Sequence, residues 1–205
     1  RQWGVDFLDP AFSALIIDLD NDSDQDLALT SGRYLLLFEN EGSRFTRKAL
    51  LSSDSIARSI TAADFDLDGD LDLHVCGYYS RTGDSIGIGR PMPYHDADNG
   101  VENQLLENRG QWEFADVTDM VGLGRNNRRF SYAAAWDDFD RDGDPDLYVA
   151  NDFGRNNLYR NDLGPAGVTF TDVAAAAGVE DISAGMSVSW GDYDGDGLSD
   201  LYIGN

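Results

Sequence analysis

Cysteine is almost absent from this sequence. Cys76 stands alone, so no disulfide can close within the chain and no cysteine-built zinc site can form. Only two histidines occur, His74 and His95, too few for most catalytic or transition-metal constellations. Positive charge is scarce: 15 Lys and Arg stand against 38 Asp and Glu, a net charge of −23. That balance excludes nucleic acid as a partner, because phosphate binding needs clustered Lys and Arg. No apolar run is long enough to cross a bilayer, so membrane insertion is not expected. The chain opens on Arg1 rather than Met, which points to a processed, excised or trimmed start. The lack of a signal peptide therefore says little about location. Helical periodicity is missing too, apart from a short turn expected over residues 174–177.

What the sequence has in excess is aspartate, and it is concentrated. DLDNDSDQDL begins at Asp18, DFDLDGDLDL at Asp64, DFDRDGDPDL at Asp138 and DYDGDGLSDL at Asp192. Aspartates fill positions one, three, five and nine of each copy: Asp18, Asp20, Asp22 and Asp26; Asp64, Asp66, Asp68 and Asp72; Asp138, Asp140, Asp142 and Asp146; Asp192, Asp194, Asp196 and Asp200. Position six is Gly69, Gly143 or Gly197, where a sharp turn would be obstructed by a Cβ; Ser23 replaces it in the first copy. Position seven is Asp24, Asp70, Asp144 and then Leu198. Leucine has no side-chain ligand, so this position is expected to offer its backbone carbonyl. So many like charges on one tight turn repel unless a cation neutralises them. Ca²⁺ takes six to eight such oxygens, and Mg²⁺ prefers fewer protein ligands and more water. About four Ca²⁺ ions are expected, one per loop.

An EF-hand also uses D-x-D-x-D-G, but needs a glutamate at position twelve and flanking helices. Position twelve here is Leu29, Val75, Val149 and Ile203, all apolar and in strand patterns. Ordinary Asp-rich surface turns would explain one copy, but not four copies with matched ligand positions.

The motif starts are 46, 74 and 54 residues apart, the scale of a four-stranded propeller blade. The spacers repeat as well. Leu37-Phe38-Glu39-Asn40, Leu105-Leu106-Glu107-Asn108 and Leu158-Tyr159-Arg160-Asn161 fill one slot, each followed by a glycine and an aromatic. Each unit reads as strand, acidic loop, strand, turn, strand, glycine turn, strand. The first spacer lacks the Asp-Val…Val-Gly-Leu ending, so the first unit is expected to be the least regular. The fourth copy has only two strands, so its unit is unfinished. Residues 3–7 are one candidate for an outer strand there.

These residues resemble the FG-GAP or VCBS repeat of integrin α-subunit propellers and many secreted bacterial proteins. The longer string from Trp136 to Val173 is similar to a subtype found in cartilage acidic protein and in bacterial proteins with an ASPIC/UnbV domain. The resemblance implies an all-β fold, a β-propeller of about four FG-GAP-like four-stranded blades, either part of a larger propeller or completed by another chain. It implies that the carboxylates at one, three, five and nine, with the backbone oxygen of seven, hold Ca²⁺. Residues 1–205 are then a single tandem-repeat domain with motifs at 18–27, 64–73, 138–147 and 192–201, and a loop insert over about 78–101.

Other features carry less. Tyr78, Tyr79, Tyr94 and His95 in the insert form either a binding surface or mere decoration, and Asp96, Asp98 and Asn99 are an incomplete cation spacing. Trp136 and Trp190, equivalent in the repeat, are expected to pack between units. Arg125, Arg128 and Arg129 read as a solvated basic spot, and His74 and Cys76 as packed strand residues. Asn21-Asp22-Ser23 is a glycosylation sequon lying inside an acidic loop.

The expected function is a calcium-binding module that is not an enzyme and acts in binding, adhesion or scaffolding outside the cell or in the periplasm. Its expected partner is a protein or glycan, with self-association through the unfinished unit as a further possibility. The alternatives are a subunit of an extracellular filament or layer, and the propeller domain of a glycan-active enzyme.

Overall fold

The computed structural model describes residues 3–5, 10–52, 55–80 and 90–205. Among the described residues fourteen strands are arranged in four antiparallel sheets, each in simple sequence order. The first sheet holds β1 (Ser13–Ile17), β2 (Asp26–Ser31), β3 (Tyr34–Asn40) and β4 (Phe45–Ser52). The second holds β5 (Ser55–Ala63), β6 (Asp72–Ser80), β7 (Gln104–Asn108) and β8 (Phe114–Asp116). The third holds β9 (Ser131–Asp137), β10 (Asp146–Asn151), β11 (Asn157–Asn161) and β12 (Phe170–Asp172). After α1 (Ala174–Ala177), the fourth has β13 (Ser187–Gly191) and β14 (Asp200–Gly204).

Every acidic loop joins the first strand of a sheet to the second, in one register. Ile17 pairs with Asp26, Ala63 with Asp72, Asp137 with Asp146 and Gly191 with Asp200. The first strands stand side by side, β1 beside β5, β5 beside β9 and β9 beside β13. The sheets therefore follow one another face to face, and each interior sheet is covered on both sides.

That arrangement explains the strand sequences. Successive residues of a strand point to opposite faces, so one strand feeds two cores. In β7, Leu106 joins Leu37, Leu73 and Val75 between the first and second sheets, and Leu105 joins Phe65, Leu147 and Tyr159 between the second and third. In β10, Tyr148 turns the other way and packs with Trp190, Leu201 and Ile203 of the fourth sheet. Strands buried on both faces read as continuous apolar runs rather than as an alternation.

Two expectations are corrected. The first unit is not the least regular: its third and fourth strands pair from Tyr34↔Ser52 to Asn40↔Phe45 with one register shift, against two shifts between β5 and β6. β4 has eight residues where β8 and β12 have three each, and the Val121 carbonyl of the second unit's ending accepts the Phe170 N–H of the third sheet at 2.7 Å. The return of residues 3–7 to the last sheet is not seen among the described residues. The Trp3 carbonyl accepts the Phe45 N–H at 2.8 Å, which sets residues 3–5 beside the start of β4; Phe7 lies outside the described residues.

Candidate metal centre

Each acidic loop is a curl held by its own carboxylates. The position-one carboxylate accepts from the backbone N–H of position six: Ser23 to Asp18 at 2.9 Å, Gly69 to Asp64 at 3.0 Å, Gly143 to Asp138 at 3.1 Å and Gly197 to Asp192 at 2.9 Å. The position-five carboxylate accepts from position seven: Asp24 to Asp22, Asp70 to Asp68, Asp144 to Asp142 and Leu198 to Asp196, at 2.8–3.3 Å. To curl so tightly, the chain turns left-handed twice. Position four has φ of 61° at Asn21, 58° at Leu67, 64° at Arg141 and 77° at Gly195; position six has 75° at Ser23 and 97° at Gly69. Glycine is at ease there and Ser23 and Leu67 are not.

The curl brings carboxylates together. Oxygens of Asp18, Asp20 and Asp22 lie within 4.8 Å of one another, as do those of Asp64, Asp66 and Asp72, of Asp138, Asp140 and Asp146, and of Asp192, Asp194 and Asp200. Positions one and three belong to all four groups. Position five joins in the first loop and position nine in the other three. Asp68, Asp142, Asp196, Asp26, Asp24, Asp70, Asp144 and Leu198 stand outside these tightest groups. Burial, and then the charge of the neighbour at position five, holds the carboxyls of Asp20, Asp66 and Asp140 above the usual range. Oδ1 of Asp18, Asp20, Asp24 and Asp144 is shielded from solvent with no hydrogen-bond partner. Mutually repelling, shielded oxygens with unused lone pairs fit a hard divalent cation. The set is all oxygen, which suits Ca²⁺ and not a thiolate- or imidazole-bound metal.

Position nine does more than face the loop. One oxygen of its carboxylate accepts the N–H of position two: Leu19 at 2.9 Å, Phe65 at 3.2 Å, Phe139 at 3.1 Å and Tyr193 at 2.8 Å. The other accepts the N–H of the asparagine ending the third strand: Asn40 to Asp26 at 2.9 Å, Asn108 to Asp72 at 2.8 Å and Asn161 to Asp146 at 2.8 Å. Burial pushes Asp72 and Asp146 up to about 7.

Those asparagines are functional residues that the sequence reading quoted without giving them a role. Asn108 donates to the Leu19 carbonyl of the preceding loop at 2.9 Å and to Leu71 of its own at 3.2 Å. Asn161 does the same, to Phe65 at 2.8 Å and Pro145 at 3.2 Å. Each ties one acidic loop to the next. Their recurrence in one slot was the signal that could have found them. Asn21 adds a second tie: its side chain donates to Gly69 O at 3.2 Å and Asp70 at 2.6 Å, so the sequon amide is engaged within the loops.

The remaining candidates resolve individually. Trp136 meets His74 edge-on at 6.3 Å, and Trp190 meets Tyr148 at 6.2 Å, so both pack between sheets as expected. Burial drives His74 down to about 3 and the Cys76 thiol up to about 12, which keeps both neutral in a packed strand. Tyr78 is not a surface residue: it is buried against Tyr79, Phe130 and Tyr132, with its hydroxyl on Asp152. Tyr94 and His95 are exposed, with Tyr94 against Phe153. Asp96, Asp98 and Asn99 make no cation cage. Asp96 binds Arg129 at 2.9 Å and Arg155 at 3.1 Å, and the Asn99 side chain closes its own loop through Met92 and Arg90. Arg129, read as part of a solvated spot, is a buried strut, because it also reaches the Ala97 carbonyl at 3.2 Å.

Comparison with known proteins agrees with this geometry. None of the curated proteins matches the chain. Among solved structures it is similar to the Bacillus licheniformis rhamnogalacturonan lyase PL11, with a TM-score of 0.52 and 16% sequence identity, over 95% of this chain and 40% of that one. The chain therefore spans two fifths of the lyase's length, and at this identity the likeness concerns the fold alone. The FG-GAP-like repeat family matches residues 18–75 and 138–203, more than half of the chain, and those spans take in all four acidic loops. The chain belongs to the FG-GAP-like repeat family.

Proposed function

We propose that this chain is a calcium-binding segment of a β-propeller, in which each sheet is a blade and each acidic loop holds one ion. The observation that carries the reading is the fourfold gathering of carboxylate oxygens within 4.8 Å, with shielded, unpartnered oxygens among them. The ligands are the carboxylates at positions one, three, five and nine, with the backbone oxygen of seven. The ion supplies positive charge that cancels the loop's own repulsion. The fourth loop is the weakest site, because its three gathered aspartates are all exposed.

The module acts without catalysis, in binding, adhesion or scaffolding, in an extracellular or periplasmic protein. Weak multi-site binding suits the millimolar calcium outside cells. The likeness of the longer repeat string to the cartilage acidic protein and ASPIC/UnbV subtype is consistent with that location. The partner is a protein or a glycan. A non-catalytic role is supported by the loop carboxylates, which accept hydrogen bonds from the backbone of their own curls.

Calorimetric titration of metal-stripped chain with CaCl₂ tests the calcium reading. Three or four ions should bind, with Asp20→Asn, Asp66→Asn and Asp140→Asn each removing one. Lack of saturable binding at millimolar calcium, or equal binding of magnesium, would overturn it.

A further inference from the structure

The first strands carry a second recurring place besides their acidic loops. Six residues before the first loop aspartate stand Phe12, Arg58 and Tyr132 in the first three units. Arg58 falls between the pairs Ala57↔Gly77 and Ser59↔Cys76, so no residue of β6 opposes it. Tyr132 falls in the same way between Ser131↔Asn151 and Ala133↔Ala150. A bulge of this kind turns a side chain out of the regular pleat. Because β1, β5 and β9 stand side by side, the three side chains meet. The guanidinium carbon of Arg58 lies 5.4 Å from the centroid of the Phe12 ring and 5.0 Å from that of Tyr132. The Tyr78 ring, at 4.8 Å, supplies a third aromatic face. Tyr78 is itself held by Asp152 at its hydroxyl and by Tyr79 and Phe130 edge-on.

The rings engage the face of the guanidinium and leave its polar edge. Nε of Arg58 is shielded from solvent and has no hydrogen-bond partner. No ion pair among the described residues includes Arg58, in a chain with 38 acidic residues. A guanidinium stacked on aromatic rings keeps its planar N–H fork for a planar anion.

We propose that Arg58, Phe12 and Tyr132 form a binding site for a carboxylate-bearing sugar of a glycan, with the carboxylate on the guanidinium edge and the sugar ring against the aromatic faces. The proposal rests on the binding role given above and selects the glycan from its two partner classes. A ligand of one charge fits best. Even with four Ca²⁺ bound, the net charge moves only from −23 to −15, so every further negative charge on a ligand adds repulsion. An acidic peptide spreads several carboxylates, each needing its own cation, whereas the rings enclose a single guanidinium. Phe12 is exposed and Tyr132 half-buried, so both rings reach solvent. The site lies about 20 Å along β5 from the acidic loop of its sheet, and the sugar does not compete with calcium.

The test is titration of the 205-residue chain in calcium buffer with methyl β-glucuronide, followed by saturation-transfer NMR. Bound calcium is counted on the same sample, so a failure of the calcium reading shows separately. Saturable binding is expected, about tenfold tighter than that of methyl β-glucoside, which has the same ring without the charge. Arg58→Gln should erase that tenfold preference. Arg58→Lys, which keeps the charge and the stem but not the fork, should reduce it, and it serves where the Gln variant fails to fold. Tyr132→Ala should weaken both sugars by a similar factor. No saturable binding of the glucuronide to the calcium-loaded chain, or a preference over the glucoside that folded Arg58 variants retain in full, overturns the proposal. So does a tetraglutamate peptide that displaces the glucuronide at lower concentration, which would assign Arg58 to a protein acid.

Discussion

Replacing the strut asparagines one at a time should rank them by what each side chain ties together. Asn108 makes three side-chain bonds: to Leu19 and Leu71 as donor, and from the Gly110 N–H as acceptor at 3.1 Å. Asn161 makes two as donor, but its Oδ1 is shielded without a partner, so its removal also relieves an unsatisfied atom. Asn40 donates once, to Gln25 at 3.1 Å, and accepts once from Gly42 at 3.0 Å, both near solvent. At about 1 kcal/mol per intramolecular bond, with more where a buried carbonyl is orphaned, Asn108→Ala should cost about 3 kcal/mol. Asn161→Ala should cost about 2 kcal/mol and Asn40→Ala under about 1 kcal/mol. Alanine keeps the backbone N–H that each asparagine gives to position nine, so the strand itself is retained. Asn108→Asp should cost more than Asn108→Ala, because it turns two donors into acceptors facing two carbonyls. The assay is urea unfolding at saturating calcium, with the midpoint shift read at constant m. If Asn40→Ala costs as much as Asn108→Ala, or Asn108→Ala stays within about 0.5 kcal/mol of the parent, the link between successive loops is not a source of stability.

Calcium should govern the melting point: three inner sites at 100 times their Kd contribute about 8 kcal/mol, a rise of roughly 15–30 °C for a chain of this size, read by calorimetry against excess chelator. In metal-stripped chain the pH dependence should run against the usual carboxylate pattern. Asp72 and Asp146 titrate at about 7 when folded and near 3.9 when unfolded. The folded state thus holds extra protons between those values, and stability falls as pH rises through about 7. The stripped chain should melt higher at pH 5 than at pH 7.5. Leu67→Gly should stabilise by about 0.5–1 kcal/mol in the same urea assay, because Leu67 is exposed and left-handed at φ 58°. Asp72→Ala, which orphans the Phe65 and Asn108 N–H groups, should cost about 3 kcal/mol or more, and Asp200→Ala, with only the Tyr193 N–H at stake in the open sheet, under about 1 kcal/mol.

The strands, the loops and their order were readable because their signals are local. A strand buried on both faces must be apolar throughout, as Leu147 to Ala150 are, and the sharp turn at position six is marked by Gly in three of the four loops. Packing by Trp136 and Trp190 followed from their equivalent positions in the repeat. What escaped was long-range. Nothing near Asn108 in sequence reveals that its amide reaches Leu19, 89 residues away. Arg129 looked solvated because its partners, Asp96 and the Ala97 carbonyl, lie more than thirty residues before it. Tyr78 looked like loop recognition because the insert begins there, yet β6 extends to Ser80 and carries the ring into the core. The completeness of the first unit was hidden because its fourth strand, β4, carries none of the motif that marks the others.

The position-nine aspartate explains why cation sites and sheet packing recur together. Its carboxylate faces the gathered acids of its own loop while accepting N–H groups from position two and from the third strand. The third strand's asparagine then grips the preceding loop. A loop that opens therefore loosens its own third strand, and with it the amide holding the loop before. Conversely, anything that closes one loop stiffens both neighbours, with no contact needed beyond the adjacent sheet. That is the physics of a linear array, in which stability is a sum of unit terms and nearest-neighbour terms. Among the described residues the position-nine carboxylate is buried at Asp26, Asp72 and Asp146, where a third strand pairs with the second, and open at Asp200, where β14 pairs with β13 alone.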